Sequence, residues 1–314
     1  MLTGAVMGYN FQLSVVIPHL NEPENLRACL AALDLQRASA GRIEIIVVDN
    51  GSHEMPFNAC SGVSDVRLVR EPTPGPGPAR NLGASLATSD LIAFIDADCV
   101  VQPGWAKAIV SFMEGTPGVD IVGGDIGILR KDASSPTGIE AYEELFSYRA
   151  RLYVEKHSYT ATGNMAVRSS VFHAVGPFGG IMTMEDTEWG KRAAAKGYRI
   201  AFLEEARVLT PSCTSFSELA RRWDRHVAHA FGDVRRGKSS LMRWLALTLL
   251  VAASPLVEVQ NVLTSGRIAG VRSRVIAFAW LTRVRLYRAR KMLALTLSGK
   301  ASPLVEGWNR EADT

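Results

Sequence analysis

The sequence has 314 residues, 47% hydrophobic and 21% charged: room for one large domain with an appendage or two modest ones, and too apolar to be largely disordered. Its formal charge of +4 is uneven: nine Lys or Arg and no acid lie between Val259 and Val305, Glu306 to Thr314 carries −2, and the body before them carries −3. A slightly acidic body with a basic C-terminal region is not the signature of a general nucleic-acid binder.

Cys29, Cys60, Cys99 and Cys213 are widely spaced, with no Cys-x-x-Cys and no histidine at ligand spacing. They read as reduced and structural, which suits a cytoplasmic chain. No Lys or Arg precedes Arg27, so no secretory signal is expected.

Leu13 to Pro18 predicts a first buried strand, stopped by Pro18. Pro23 and Glu24 open a helix with Leu26, Leu30 and Leu33 at helical spacing. Ile43 to Val48 is a second strand ending in the turn Asp49-Asn50-Gly51-Ser52, and Val66 to Val69 a third. The proline-rich run from Glu71 to Pro78 reads as a stiff surface loop, neither helix nor ladder strand. Ala79 to Ala87 is helical, and Leu91 to Ile95 is a strand buried on both faces. This succession predicts a doubly wound sheet through about residue 100. Beyond it, Trp105 to Met113 is a helix and Ile121 to Gly124 a strand. Ile139 to Lys156 reads as one long helix and Thr162 to Val167 as a strand. Helices open at Met184 and at Phe216.

The strand Leu91 to Ile95 runs into Asp96-Ala97-Asp98. Ligands gather at the carboxyl ends of strands in open α/β sheets, so this pair stands where chemistry is expected. Two hard oxygen ligands there suit Mg²⁺ or Mn²⁺ carried in with a diphosphate. The competing reading is a strand end followed by a turn. Gly75, Gly77 and Gly83 do not reproduce G-x-G-x-x-G, and no G-x-x-x-x-G-K-[ST] occurs, so a P-loop ATPase is excluded.

Taken in order, Val16-Ile17-Pro18 with Asn21-Glu22, Val48 to Ser52, Arg80-Asn81 with Gly83, Asp96-Ala97-Asp98, Gly163-Asn164 and Glu185-Asp186 resemble a family 2 glycosyltransferase. The resemblance covers about residues 12 to 235. It implies an α/β GT-A fold, a mostly parallel sheet flanked by helices, as a catalytic domain over 1–238. A basic amphipathic helical region over 239–314 follows.

By that resemblance Asp49 would hydrogen-bond the nucleobase of a UDP-, GDP- or dTDP-sugar donor, with Pro18 and Glu22 lining the nucleoside pocket. Capping of the first helix is the competing role for Glu22. Arg80 would clamp phosphate or base, Asp96 would contact ribose and metal, and Asp98 would be the direct ligand of Mn²⁺ or Mg²⁺. Asp186, with Glu185 second, would be the base that takes the proton of the acceptor hydroxyl, the alternative being a helix cap. Gly163, Asn164 and Trp223 would floor the acceptor and donor-sugar site.

Two departures from the family qualify this. Processive members carry Gln-x-x-Arg-Trp, whereas Arg222-Trp223 has Leu219 where the Gln should stand, which favours single-sugar transfer. A His that completes the metal site in many members is missing around Thr210-Pro211-Ser212; His226 and His229 are the only nearby substitutes.

Trp244 to Val257 is an apolar run broken by Pro255, too short for a spanning helix of ~20 residues. Ile268 to Leu297 mixes arginines with an apolar stretch around Trp280, a pattern that lies on an anionic membrane surface or packs on the catalytic domain. The expectation is therefore an inverting transferase acting on a saccharide or lipid-linked acceptor in cell-envelope or exopolysaccharide assembly. It would be cytoplasmic, peripheral at the inner face of the membrane, with no nucleic-acid partner. Rival readings are a sugar nucleotidyltransferase, whose basic phosphate loop is not found in His19-Leu20-Asn21-Glu22, and a non-catalytic membrane-associated scaffold.

Overall fold

The computed structural model of the protein describes residues 11–132, 135–181, 183–235 and 240–298. The chain forms two compact units. The first runs to Gly127 and resumes over Arg149–Thr210; the second is Ile128–Tyr148 with the chain from Pro211 onward. The boundary expected at residue 238 thus moves forward. The helix opening at Phe216 buries its apolar face, Leu219 included, in the second unit's own core and belongs there.

The first unit is built on a sheet. In chain order it holds β1 (Leu13–His19), α1 (Pro23–Asp34), α2 (Arg37–Ala40), β2 (Ile43–Asp49), α3 (Phe57–Cys60), β3 (Val66–Arg70), α4 (Pro76–Leu86) and β4 (Leu91–Ile95). Then come β5 (Val100–Val101), α5 (Trp105–Gly115) and β6 (Ile121–Leu129). The eight strands, with β7 (Asn164–Arg168) and β8 (Ile200–Pro211), run in the order β3-β2-β1-β4-β7-β6-β8-β5. β1, β2 and β4 are almost wholly apolar and buried, as central parallel strands covered on both faces must be. The pairs β3–β2, β2–β1 and β1–β4 are all parallel, with Val16 opposite both Ile46 and Phe94. β7 is antiparallel to β4 and to β6, and β5 to β8, so the sheet is mixed.

Helix α4 lies close on this sheet because residue 83 is glycine. A Cβ there would meet Val16 Cγ1 at 2.2 Å. Pro76-Gly77-Pro78, expected in a loop, instead form the first turn of α4, where proline's missing N–H leaves nothing unsatisfied. The run expected as one helix is two, α6 (Gly138–Phe146) in the second unit and α7 (Ala150–His157) in the first. The break falls where Arg149 leaves helical angles, at φ −104° and ψ 57°. Two further helices, α8 (Ser169–Val175) and α9 (Glu185–Ala195), cover the sheet. Their side of the core is aromatic: Phe94 meets Phe178 edge-on at 5.3 Å, and Phe172 stacks on Trp189 at 5.7 Å. Trp189 is fully buried and its indole N–H donates to the Gly176 carbonyl at 2.7 Å, which pins the start of α9.

The second unit is helical: α6, α10 (Phe216–Arg235), α11 (Ser240–Thr264) and α12 (Val271–Ser298). Tyr142, Leu219, Val262, Leu281 and Val284 form its core. Pro255 sits inside α11 without ending it, so the apolar run is longer than the sequence promised. Leu241–Thr264 is 24 residues, long and apolar enough to cross a membrane. Several cations of the basic stretch turn inward. Arg274 donates to the carbonyls of Val262, Ser265 and Ile268 at the end of α11, and Lys291 pairs with Asp224 at 3.0 Å. Lys300 and the acidic tail lie outside the described residues.

Candidate active site

β1 lies between β2 on one side and β4 on the other, so the chain reverses its direction of travel across the sheet at this point. The carboxyl ends of such neighbouring strands leave a crevice where open α/β sheets place their ligands. Asp49 closes β2, His19 closes β1 with Glu22 just beyond it, and Asp96 and Asp98 follow β4.

His19 and Asp49 are register partners at the ends of β1 and β2. His19 Nδ1 lies 3.2 Å from Asp49 Oδ1, while its Nε2 accepts the Glu22 N–H at 3.2 Å. With Nε2 the acceptor, Nδ1 carries the hydrogen and donates to the carboxylate. The other oxygen of Asp49 accepts from the N–H groups of Gly51 and Ser52, each at 3.2 Å. Asp49 is fully buried. It holds the β2 turn in shape. Pro18 stands half-buried beside it in β1. Glu22 occupies the N-cap position of α1 but makes no side-chain cap; its Oε2 accepts from Asn25 at 3.0 Å.

Arg80 joins the two halves of the site. It is buried near the start of α4, and its guanidinium donates to Asp96 Oδ1 at 2.6 Å and to Glu185 Oε1 at 2.9 Å. Burial works against its charge, but the two carboxylates outweigh that and hold its pKa above the ordinary value. Arg80 thus bridges Asp96 at the strand end and Glu185 at the start of α9. Its neighbours make the same join. Asn81 donates to the Phe178 carbonyl at 3.0 Å and accepts its N–H at 2.8 Å, while Gly83 allows the close approach to β1.

Asp96 stays partly open. A Cβ at Gly163 would stand 2.8 Å from its Oδ2, so the glycine keeps that oxygen clear. Ligand atoms of Asp96, Asp98 and Cys99 lie within 4.8 Å of one another. Burial, with Asp98 and Asp96 beside it, pushes the Cys99 thiol well up, so it stays protonated and donates toward Asp98 Oδ1 at 3.6 Å. The fitting donors are therefore carboxylate oxygens, which match a hard divalent cation. Where a histidine was looked for, the Thr210 hydroxyl donates to Asp98 Oδ2 at 3.4 Å.

At the start of α9, Glu185 is held by Arg80 and Asp186 is half-buried, accepting the Thr187 N–H at 2.6 Å. Burial, then the Glu185 charge, raises the Asp186 carboxyl to about 6, with Thr187 and Arg80 pulling the other way. Tyr153 and Tyr159 stack at 5.1 Å near it, a pair that carries no sequence motif.

Two expected site residues have partners of their own. Asn164 is 1% exposed and donates to the carbonyls of Asp125 and Ala206 at 2.8 and 2.7 Å, while accepting the Trp105 indole N–H at 2.9 Å. It locks β7 to its neighbours and has no donor left for a sugar. Trp223 belongs to the second unit, where the Arg288 guanidinium covers its ring at 4.0 Å. His226 packs against the same indole, and the side chain of His229 lies outside the described residues.

A parallel β1–β4 core, acids at the strand ends and a carboxylate pair opening a later helix define a GT-A glycosyltransferase. Residues 14–176, just over half of the chain, match the family described as "Glycosyl transferase family 2". The glycosyltransferase AglE of Haloferax volcanii is 30% identical over 240 residues, 74% of each chain. Among solved structures, the mannosyltransferase PcManGT of Pyrobaculum calidifontis, in complex with GDP-Man and Mn²⁺, superposes with a TM-score of 0.60 at 17% identity, covering 93% of this chain and 89% of its own. Residues 1–349 of Staphylococcus aureus TarS, in complex with UDP-GlcNAc, superpose with a TM-score of 0.52 at 14% identity, covering 92% of each. The chain belongs to glycosyltransferase family 2 and is an enzyme that transfers sugars.

Proposed function

We propose that the enzyme moves one sugar from a nucleotide-diphosphate donor to an acceptor hydroxyl, with inversion at the anomeric carbon. The observation that carries this reading is the Arg80 bridge. It ties Asp96 at the end of β4 to Glu185 at the start of α9, with Asp98 two residues from the one and Asp186 next to the other. An inverting displacement asks for one base on the acceptor and charge neutralisation on the leaving diphosphate.

Asp186 takes the acceptor proton at a carboxylate oxygen, and its raised pKa poises it near neutral pH for that transfer. Asp96 and Asp98 hold Mn²⁺ or Mg²⁺, which when bound neutralises the diphosphate. Glu185 and Arg80 keep Asp186 and Asp96 in place. His19 and Asp49 shape the nucleoside pocket from beneath, with Pro18 and Glu22 along it. GDP-Man and UDP-GlcNAc in the structural neighbours support a nucleotide-sugar donor. The acceptor we assign is a saccharide or lipid-linked carrier in envelope or exopolysaccharide assembly.

Calorimetry with UDP and GDP, with and without Mn²⁺, tests the metal assignment. Asp98→Ala should abolish the Mn²⁺-dependent gain in affinity while leaving the ligand-free melting temperature unchanged. An unaltered gain removes Asp98 from the site. The anomeric configuration of the product, read by NMR, decides inversion.

The membrane reading rests on α11 more than on the arginines of α12. Leu249, Leu250, Leu256 and Val257 are 71%, 66%, 76% and 83% exposed on it. Apolar contact of this kind resists salt, whereas attraction through surface cations is screened. Full-length protein should therefore sediment with anionic liposomes and stay bound in high salt. Release by salt would return the role to the basic face of α12, and no sedimentation would end the membrane reading.

A further inference from the structure

The carboxyl ends of β1, β2 and β3 set three polar side chains in one register row. His19 stands opposite Asp49, and Asp49 opposite Arg70. The row is buried at one end and open at the other. Asp49 is fully buried and His19 nearly so, whereas the Arg70 side chain is 56% exposed. Arg70 Nη2 donates to the Ser52 carbonyl at 3.2 Å, and its Nε lies 3.7 Å from Asp49 Oδ2. These two contacts hold the guanidinium against the β2 turn, at the rim of the nucleoside pocket.

The backbone beneath it is braced. Asn50 donates to the carbonyls of Glu71 and Thr73 at 3.0 and 2.7 Å, and its Oδ1 accepts the Gly75 N–H at 2.7 Å. The turn after β2 and the chain after β3 are thereby tied together, and Arg70 sits where they join. A guanidinium carries five N–H donors in a fixed plane. Among the described residues Arg70 meets only Ser52 and Asp49, so most of that fork faces outward. β3 is an edge strand, where exposed charge also keeps other chains from pairing. Arg67, exposed in mid-strand, suits that task; Arg70 is instead drawn to a buried carboxylate at the strand end.

We infer that Arg70 is a specificity-determining residue for the donor, its outward N–H groups reading an exocyclic carbonyl oxygen of the nucleobase. Uracil, thymine and guanine carry such an oxygen, whereas adenine places an amino donor at the matching position. A charged donor facing that amino group is left unpaired, and a site built to bond a polar group rejects the analogue that lacks it. The inference rests on the donor-site reading above and adds which bases that site accepts.

Calorimetry of the full chain in Mn²⁺ with UDP, GDP, dTDP, ADP and inorganic pyrophosphate tests it. At least one of the three carbonyl-bearing nucleotides should bind at least ~10-fold tighter than ADP. Arg70→Leu removes the donors, so this lead should shrink to within ~2-fold of ADP, with pyrophosphate unchanged. Arg67→Leu should leave every affinity within ~2-fold. Should Arg70→Leu fail to fold, Arg70→Met is judged by the same criterion. Wild type binding ADP as tightly as the others, or no loss in Arg70→Leu, overturns the inference while the donor site stands. Equal losses for ADP and pyrophosphate also overturn it, because they put Arg70 on the phosphates. No binding of UDP, GDP or dTDP would overturn the donor-site reading itself, and this inference with it.

Discussion

Both units gather carboxylates around arginine, and they differ in how the charges are met. In the second unit α6 buries Glu140, Glu143 and Glu144 on one helix. Glu143 accepts from the Ser212 hydroxyl at 2.7 Å, the Cys213 N–H at 2.8 Å and Arg222 at 2.7 Å. Glu140 closes a capping box with Thr137 and accepts the Lys131 N–H at 2.9 Å. Glu144 accepts the Ile128 N–H at 3.1 Å, with Arg130 and Arg267 nearby at 3.6 and 3.7 Å. In the first unit the buried Arg80 bonds to Asp96 and Glu185, and its charge also reaches Asp186. Satisfied acids hold a fold together. At Asp186 the charge is not offset: burial first, and the Glu185 carboxylate second, raise its carboxyl to about 6.

The contrast breaks most sharply at Asp186. Asp186→Asn keeps the shape and the acceptor oxygen but cannot take a proton, so turnover should fall at least ~100-fold with donor affinity retained. Single-turnover assays and calorimetry on the same preparation read the two quantities separately. Near-normal turnover, with a large loss in Glu185→Gln, would move the base to Glu185.

The matching change in the second unit should act on stability. Glu143→Ala strips the partner from Arg222, Ser212 and the Cys213 N–H in a fully buried setting. Breaking such a pair costs about 3 kcal/mol, visible as a lowered denaturation midpoint. A variant as stable as wild type would mean that water replaces the glutamate, and that these acids are no more structural than those of the first unit.

Much of the first unit was legible because its signals are local. β1, β2 and β4 are unbroken apolar runs, and Asp96-Ala97-Asp98 sits directly behind one of them. Arg80-Asn81 with Gly83 could be marked as a motif, but not its reason: Arg80 to Asp96 and Glu185, Asn81 to Phe178 and Gly83 to Val16 are all contacts across the fold. His19 escaped notice because its partner Asp49 is 30 residues away, although aligning the ends of β1 and β2 sets the two side by side. β8 was hidden by the exposed pair Glu204-Glu205, which interrupts its apolar period. Asn164 was placed at the sugar site by the family resemblance of Gly163-Asn164. Its three hydrogen bonds reach β6, β8 and α5, which no local pattern announces. The insertion of α6 into the second unit is likewise invisible in a chain whose charge pattern runs on unbroken into α7.

The smallest expected effect applies the same contrast through pH. Asp186 rises from 3.8 to about 6, chiefly through burial and then through Glu185. Between those values the folded protein holds the proton more tightly than the unfolded chain does. This contribution to stability is complete below the unfolded pKa and is lost as pH rises through about 6. At pH 7 the ionised carboxylate is therefore a burden that Asp186→Asn does not carry. Denaturant titrations should show the wild type gaining about 1 kcal/mol relative to Asp186→Asn between pH 7 and pH 5. Glu140 should behave oppositely. Burial disfavours its charge, but the Lys131 and Thr137 N–H bonds outweigh that and hold its pKa below 4.5. Its contribution is present above that value and is lost as pH falls through the folded pKa, so wild type should lose ground to Glu140→Gln only in acid. Two acids with the same pH trend would mean that the contrast between the units is not electrostatic; opposite trends tie the charge that is not offset to the transferase site.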